Sequence, residues 1–299
     1  MAPARPLTLL EPLSPALHQA LDRIRQTMDA LGAVVVAYSG GVDSSLVAAI
    51  AAERLGERAL AVTGVSPALA PHLLEEARCQ ASWLGLRHRE IPTAELTDPS
   101  YVSNPPDRCY ACKRELHDLL AQIRNEAGAS QVLDGVNLDD LQDHRPGLRA
   151  AREWNVRSPL AEAGVDKSGV RQLSRALGLP WWDKPAQPCL ASRFPYGEPI
   201  TASRLQRVGA AESWLRHQGF AEVRVRSQGE AARIELPAHG LAAVCQSLAS
   251  DSLREEMVEA FLALGFNAVA LDLEGLVSGK LNRDLSGPAE PIIPVESRR

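Results

Sequence analysis

The chain has 299 residues, of which 45% are hydrophobic and 23% charged, a composition typical of globular rather than disordered proteins. Its formal net charge of −5 argues against a protein that wraps nucleic acid, because such proteins carry a basic surface. Neither a signal peptide nor a run of about 18 apolar residues is found, so we expect a cytoplasmic protein with no membrane or nucleic-acid partner.

Predicted strands and helices alternate through the first half of the chain. Apolar periodicity predicts helices at 17–31, 46–55, 71–84 and 109–123, with Pro71 at the start of the third. Buried strands are predicted at 34–38, 59–65 and 87–91, a fourth begins QVLDGVN (131–137), and a fifth lies in NVRSPL (155–160). This alternation predicts an α/β fold, a parallel doubly wound sheet with helices on both faces.

The pattern changes after Gly178. The stretch LPWWDKPAQPCLASRFPYGEP (179–199) has no periodicity, and ordered loops of this length are usually functional. A smaller α+β domain is predicted beyond it, with a helix at 202–217, strands at 222–225, 233–236 and 268–273, and two helices within 239–264. The predicted boundaries are 1–180 for the first domain, 181–200 for the linking loop, 201–278 for the second domain and 279–299 for a flexible tail.

The string SGGVDSS (39–45) lies at the turn between the first predicted strand and its helix. Glycines let the backbone approach a ligand closely, and the N–H groups at a helix N-terminus favour an anion. Asp43 could cap the helix or contact a phosphate-bound Mg²⁺. The alternative is a tight turn whose polar residues only cap the helix. The string matches neither GxxxxGK[ST] nor GxGxxG, the signatures of two commoner nucleotide-binding loops.

SGGVDSS resembles the PP-loop of the ATP pyrophosphatase superfamily, whose fold is adenine nucleotide α hydrolase-like. The resemblance implies that the loop binds the β,γ-pyrophosphate of ATP and that the enzyme adenylates its substrate and releases pyrophosphate. The ATP-binding residues it implies are Ser39, Gly40, Gly41, Asp43, Ser44 and Ser45, joined by Gly135 after the fourth predicted strand.

Three of the five cysteines have a suggestive spacing. Cys109 and Cys112 form a CxxC at the start of a predicted helix, where a low thiol pKa is favoured, and Cys189 lies in the proline-rich loop. The CxxC could be half of a zinc site, a redox pair, or part of a [4Fe–4S] cluster held by all three thiolates. Cys79 and Cys245 are predicted to be small buried hydrophobic residues.

Four separated motifs resemble the LarE-type sulfur transferases, which build the nickel-pincer nucleotide cofactor of lactate racemase. Besides the PP-loop they are NPPDRCYACK (104–113), LDGVNLDDLQDHRPGLRAA (133–151) and KPAQPCLASRFPYGEPIT (184–201), and VRVRSQGEAARIE (223–235) also fits. The resemblance implies that a carboxylate of a pyridinium biscarboxylate mononucleotide is adenylated and then converted to a thiocarboxylate. It also implies a homo-oligomer.

The family has two sulfur sources. One kind sacrifices the sulfur of a single cysteine at the position of Cys189, which becomes dehydroalanine. The other kind holds a [4Fe–4S] cluster on three cysteines, here Cys109, Cys112 and Cys189, and receives sulfide or another sulfur donor. Because all three cysteines are present, we favour the cluster.

Five further polar residues could serve either the site or only the structure. Asp139 and Asp140 could hold Mg²⁺ or form an acidic turn, and Arg193 could be catalytic or solvated. Arg224 and Arg226 alternate on a strand, so they share one face that could bind a substrate phosphate or simply face solvent. Lysine occurs only at 113, 167, 184 and 280, a bias that we ascribe to genome composition.

Three other functions compete with sulfur transfer to a mononucleotide. A tRNA thiolase uses the same loop, but the acidic chain lacks a Lys/Arg-rich stretch. An amidating synthetase would not need the cysteines. An ATP-binding regulatory module would release no pyrophosphate.

Overall fold

The computed structural model describes residues 5–142, 146–238, 241–248, 251–277 and 279–285. The chain forms two compact units. The first comprises Met1–Leu190 and Pro199–Leu205, and the second comprises Ala191–Glu198 and the chain from Gln206 onward. The chain therefore passes from one unit to the other within the proline-rich stretch.

The first unit contains a four-stranded sheet in which every pairing is parallel. The strand order is β3-β2-β1-β4, so β1 lies in the interior of the sheet. In register, Val35 of β1 is opposite Leu60 on one side and Val132 on the other. The strands are β1 Val34–Ala37, β2 Ala59–Val65, β3 Arg87–Pro92 and β4 Gln131–Leu133.

Helices cover both faces of this sheet, which confirms the predicted fold class. Val34 and Val36 pack into the larger core with α1, α2, α3, α7 and α8, whereas Val35 faces the core that includes Leu120 and Ile123 of α5. The alternation follows from the period of two in a β-strand. The helices are α1 Pro15–Leu31, α2 Val42–Leu55, α3 Pro71–Leu84, α4 Pro99–Val102, α5 Arg108–Glu126, α6 Pro146–Glu153, α7 Pro159–Glu162 and α8 Lys167–Ala176.

The fifth strand predicted within NVRSPL is wrong. Arg157 makes a single parallel bridge to Leu133, with Arg157 N donating to Val132 O at 3.0 Å. Pairing stops there because Pro159 has no N–H to donate and begins α7 instead. Val156 and Leu160 had suggested a strand because an apolar pair in a short segment fits either structure.

The second unit contains the predicted α+β arrangement. Its sheet has the order β5-β6-β7, with β5 antiparallel to β6 and β6 parallel to β7. Buried Leu215 and Phe261 lie in the helices of this unit. The elements are α9 Ala202–His217, β5 Arg224–Gln228, β6 Ala231–Glu235, α10 Leu241–Leu248, α11 Asp251–Ala263 and β7 Ala268–Leu271.

The predicted flexible tail lies largely outside the described residues. Its described beginning contains a 3-10 helix, Lys280–Leu285. Across the described ranges, no helix has both the length and the apolar character needed to cross a bilayer.

Candidate active site

The PP-loop residues 39–45 connect the interior strand β1 to α2 at the carboxyl edge of the sheet. The helix begins at Val42, four residues earlier than predicted, so Asp43, Ser44 and Ser45 lie in its first turn. Gly41 is the N-cap and supplies no side-chain bond to the helix. The N–H groups of the first turn have no partner within the helix and carry the positive end of its dipole, so they suit an anion.

Two serine hydroxyls organise the loop itself. The Oγ of Ser44 accepts from the N–H of Ser39 at 3.2 Å, donates to Gly41 O at 3.2 Å, and lies 3.1 Å from Ser39 Oγ. Ser45 points elsewhere, because its buried hydroxyl donates to Gln80 Oε1 of α3 at 2.9 Å. Ser39 and Ser44 therefore bond within the loop, whereas Ser45 joins two helices.

Two glycines at this site leave no room for a side chain. Gly40 has φ +67°, and a Cβ there would lie 2.9 Å from the Cα of Ala77 in α3. A Cβ on Gly135, in the loop after β4, would lie 2.6 Å from the backbone N of Ser44. The loop after β4 thus packs directly against the first turn of α2. Gly135 therefore lies beside the PP-loop residues with which the sequence analysis grouped it.

Asp43 does not cap the helix, which corrects one of its two predicted roles. Its carboxylate accepts from Asn137 Nδ2 at 3.0 Å and pairs with the ammonium of Lys167. Both partners were missed at the sequence level. They hold the carboxylate of Asp43 toward the loop after β4 and the N-terminus of α8.

The predicted magnesium ligands Asp139 and Asp140 bond to backbone N–H groups. Asp139 Oδ2 accepts from Lys167 N at 3.0 Å, at the first residue of α8. Asp140 is buried, and its Oδ2 accepts from Asn137 N at 3.1 Å. Asp140 therefore stabilises the turn that positions Asn137 beside Asp43, and Asp139 ties that turn to the N-terminus of α8.

A second lysine from a distant part of the chain reaches the PP-loop. Lys184 Nζ donates to Gly40 O at 3.1 Å and lies 2.5 Å from a carboxylate oxygen of Glu76 in α3. Its side chain is 13% exposed, so the charge is largely enclosed. Lys167 and Lys184 both contact the PP-loop, which has no lysine of its own. The scarcity of lysine in the sequence was the one signal that could have pointed to these two residues.

The three cysteines of interest all belong to the first unit. Cys109 and Cys112 lie in the first turns of α5, and Cys189 lies in the segment after α8. Cys109 is exposed as a residue, but desolvation of its thiol by the surrounding chain, and then the nearby Cys189 thiol, raise its pKa. Burial raises the pKa of Cys112 to about 12, with smaller contributions from Cys189 and Cys109. Both shifts run opposite to the low thiol pKa expected at a helix N-terminus, and the Cys189 thiol contributes to each of them.

The surroundings of these thiols suit a bound sulfur-rich group. Within the described ranges, no three His, Cys, Asp or Glu side chains form a ready-made metal site. However, three thiols are a soft donor set appropriate to iron–sulfur chemistry. Tyr101 and Glu95 are buried nearby, and Tyr101 Oη and Glu95 Oε2 have no hydrogen-bond partner in the described structure. Burial, followed by Cys189 and Cys112, raises the pKa of Tyr101.

Cys79 and Cys245 are exposed, so their prediction as buried residues is wrong. Cys79 lies outside the face of α3 that packs on the core, which is formed by Leu73, Ala77, Gln80, Ala81 and Leu84.

Arg193 belongs to the second unit, where it is held by a buried carboxylate. Its Nε and Nη2 donate to Glu212 of α9 at 2.7 and 3.0 Å, a bidentate pair. Burial would raise the pKa of Glu212, but Arg193 and the N–H of Val225 hold it below its usual value. The guanidinium of Arg193 is therefore fixed in orientation.

The two predicted phosphate-binding arginines differ in their surroundings. Arg226 is buried, pairs with Glu235 at 2.9 Å, and donates to Ser192 O at 2.6 Å. Arg224 lies two residues earlier on β5, and its guanidinium has no ion pair or hydrogen bond with any part of the chain that the structure describes. Burial, and then the charges of Arg193 and Arg226, lower its pKa. Glu235, opposite Arg224 in the sheet, and Glu212 oppose this lowering, but neither forms an ion pair with Arg224. A guanidinium without a direct partner in the described structure suits an anionic ligand.

Comparison with known proteins finds a family model that matches part of the first unit and relatives that match most of the chain. The sequence model of the NAD synthase family matches residues 16–104, which include the PP-loop. The chain is 53% identical to the uncharacterized protein slr1717 of Synechocystis sp. over 90% of this chain and 99% of that protein. It is 29% identical to the uncharacterized protein MJ0830 of Methanocaldococcus jannaschii, over 81% of this chain and 89% of that one.

A relative with a named activity covers both units. It is the pyridinium-3,5-bisthiocarboxylic acid mononucleotide synthase of Lactiplantibacillus plantarum, 38% identical over 85% of this chain and 90% of that protein. Similarity at this level and over this length extends well beyond the PP-loop. The chain therefore belongs to the pyridinium-3,5-bisthiocarboxylic acid mononucleotide synthase family.

Proposed function

We propose that the protein is an ATP-dependent sulfur transferase acting in nickel-pincer cofactor biosynthesis. It adenylates a carboxylate of a pyridinium biscarboxylate mononucleotide and converts it to a thiocarboxylate. The observation that carries this proposal is the 38% identity to the bisthiocarboxylic acid mononucleotide synthase, which spans 85% of this chain and 90% of that protein.

ATP binds at the PP-loop in this proposal. The free N–H groups of the first turn of α2, with the hydroxyls of Ser39 and Ser44, receive the β,γ-pyrophosphate. Gly40, Gly41 and Gly135 give the backbone the close approach that the phosphates need. Mg²⁺ would accompany the nucleotide, and Asp139 and Asp140 stay predicted ligands.

The chemistry proceeds in two displacements. A carboxylate oxygen of the substrate attacks the α-phosphorus of ATP, and pyrophosphate leaves with the electron pair of the broken P–O bond. A sulfur nucleophile then attacks the acyl carbon, and AMP leaves with the former carboxylate oxygen. One oxygen of the substrate is thereby replaced by sulfur for each ATP converted to AMP.

Cys109, Cys112 and Cys189 would hold a [4Fe–4S] cluster, because three thiols are a soft donor set and the Cys189 thiol acts electrostatically on both thiols of the CxxC. When bound, such a cluster supplies an iron without a protein ligand, on which sulfur from sulfide or another donor can be carried. The alternative for the same reaction is that Cys189 itself gives up its sulfur.

Arg224 supplies the phosphate site for the mononucleotide. Arg224 makes no ion pair within the described structure, whereas Arg193 and Arg226 are paired with Glu212 and Glu235. Arg193 and Arg226 are held in place by those carboxylates, and their roles toward the substrate stay predictions.

The competing functions have less support. The mononucleotide synthase is matched along 90% of its own length, and the net charge of −5 does not favour tRNA. A cytoplasmic location and a homo-oligomeric assembly stay predictions from the sequence.

Iron and sulfide analysis of anaerobically purified protein tests the sulfur source. We expect bound iron and sulfide in the wild type, and their loss in Cys109→Ser, Cys112→Ser and Cys189→Ser. The matched control is Cys79→Ser, because Cys79 is an exposed cysteine on α3. Absence of iron, together with loss of sulfur mass from Cys189 after turnover, would instead establish the sacrificial route.

A further inference from the structure

The segment that carries Cys189 lies along the beginning of α3. We call residues 184–190 the Cys189 segment. Three contacts join it to α3 and the residues just before α3. The residue numbers of these partners fall as those of the segment rise, so the two stretches run antiparallel. The contacts are Lys184 with Glu76 at 2.5 Å, Gln187 Oε1 with His72 Nε2 at 3.1 Å, and Leu190 N with Ala68 O at 2.9 Å.

Lys184 joins this segment to the PP-loop as well. Its ammonium donates to the carbonyl of Gly40, at the point where the loop has a positive φ and packs against Ala77. Glu76, the carboxylate partner of Lys184, precedes Ala77 in α3. One ammonium group therefore contacts the PP-loop and α3, five residues before Cys189.

The contacts of Lys184 leave it able to bind an anion. An ammonium has three N–H donors, and the described structure uses two of them, for Gly40 O and Glu76. Glu76 is 42% exposed, so solvent weakens its hold on the ammonium. A pyrophosphate group on the PP-loop would bring several negative charges close to the carbonyl of Gly40. Lys184, whose ammonium contacts that carbonyl and is largely shielded from solvent, would attract them.

We propose that Lys184 binds the pyrophosphate group of ATP and thereby holds the Cys189 segment against the PP-loop while the nucleotide is bound. The inference rests on the proposed ATP site. Lys184 supplies the charge that a lysine within the loop supplies in other nucleotide-binding loops. The coupling free energy between two sites is the same in both directions. ATP therefore stabilises the docked Cys189 segment by as much free energy as the docked segment adds to ATP binding.

Calorimetric titration with MgATP tests the binding role. Lys184→Met is expected to raise the ATP Kd about tenfold, the effect of losing one charge-assisted phosphate contact, and Lys184→Arg to recover most of the affinity. The matched control is Arg54→Met at the other end of α2, where Arg54 pairs with the exposed Asp29. This control should bind ATP as the wild type does.

Glu76→Gln separates phosphate binding from a merely structural tie. This variant keeps the size of the side chain but removes the charge that competes for Lys184. The proposal predicts an ATP Kd equal to or below that of the wild type. If Lys184 served only to join the Cys189 segment to α3, Glu76→Gln would weaken ATP binding as Lys184→Met does, and the proposal would be overturned.

Hydrogen exchange tests the positioning role. MgATP should slow exchange of the Leu190 amide, which donates to Ala68 O, in the wild type but not in Lys184→Met. Equal slowing in both proteins, or an unchanged Kd in Lys184→Met, would refute the proposal. Should Lys184→Met fail to fold, the Glu76→Gln titration decides. A wild type that binds ATP but makes no thiocarboxylate would count against the proposed function alone.

Discussion

Gly135 illustrates how much of the nucleotide site depends on the absence of one side chain. A Cβ at this position would lie 2.6 Å from the backbone N of Ser44, in the first turn of α2. Gly135→Ala must therefore push the loop after β4 away from the helix that presents N–H groups to phosphate. We expect it to weaken ATP binding at least tenfold, as measured by titration with MgATP.

A second glycine provides the control for this substitution. Gly164 has φ +71°, but a Cβ there would have nothing within 4 Å, so Gly164→Ala introduces backbone strain without a collision. It should cost about 1 kcal/mol of stability and leave ATP affinity unchanged. Equal losses of affinity in the two variants would show that general destabilisation, and not the contact with Ser44, explains the effect of Gly135→Ala.

His117 is expected to make the first unit sensitive to acid. It is buried in α5, and burial, followed by the charge of Lys113, lowers its pKa from 6.5 to about 4. Well above pH 6.5 the residue is neutral in both the folded and the unfolded state. As the pH falls from 6.5 to 4, the unfolded chain takes up a proton that the folded chain does not, so stability falls.

Urea denaturation at a series of pH values measures this loss. Between pH 6.5 and pH 4, the free energy of unfolding should fall by about 3 kcal/mol less in His117→Phe than in the wild type. His18→Phe is the control, because the His18 side chain is 54% exposed. If the free energy of unfolding depends on pH in His117→Phe as it does in the wild type, His117 is not the source of the acid sensitivity.

At the scale of elements, Glu212 joins α9 to the residues on which the predicted substrate site depends. It accepts from Arg193, from Val225 N at 3.0 Å and from Arg216 at 3.3 Å. Glu212→Ala would leave the buried Arg193 without its carboxylate. We expect it to lower the free energy of unfolding by about 3–5 kcal/mol in urea.

Glu90→Ala is the matched test of a surface pair. Glu90 on β3 pairs with Arg78 on α3 in a solvated setting, so its removal should change stability far less. Comparable losses in Glu212→Ala and Glu90→Ala would mean that burial of the Arg193 pair contributes little.

The helices and strands that could be predicted are those whose hydrophobic pattern in the sequence matches their burial in the structure. The apolar runs at β1 and β2 are buried in the sheet, and the predicted helices on both faces are present. The start of α2 was placed late because its first turn is polar. There the side chains of Asp43 and Ser44 serve the loop, and amphipathic periodicity carries no signal.

At the scale of the whole molecule, the sequence revealed the loop and the cysteines but not the charges around them. Lys167 and Lys184 lie 124 and 144 residues from their partners Asp43 and Gly40. Such contacts depend on the packing of α8 and of the Cys189 segment, which no local pattern specifies. The family resemblance to the LarE-type sulfur transferases, in contrast, is confirmed by similarity over both units.

The most direct test of sulfur transfer is mass analysis of the product. Anaerobically prepared protein should be mixed with MgATP, sulfide and the pyridinium biscarboxylate mononucleotide. We predict a product in which sulfur replaces one carboxylate oxygen, with one AMP and one pyrophosphate formed per sulfur, several products per chain, and Cys189 intact. Formation of AMP and pyrophosphate with no sulfur-containing product would contradict the proposed function.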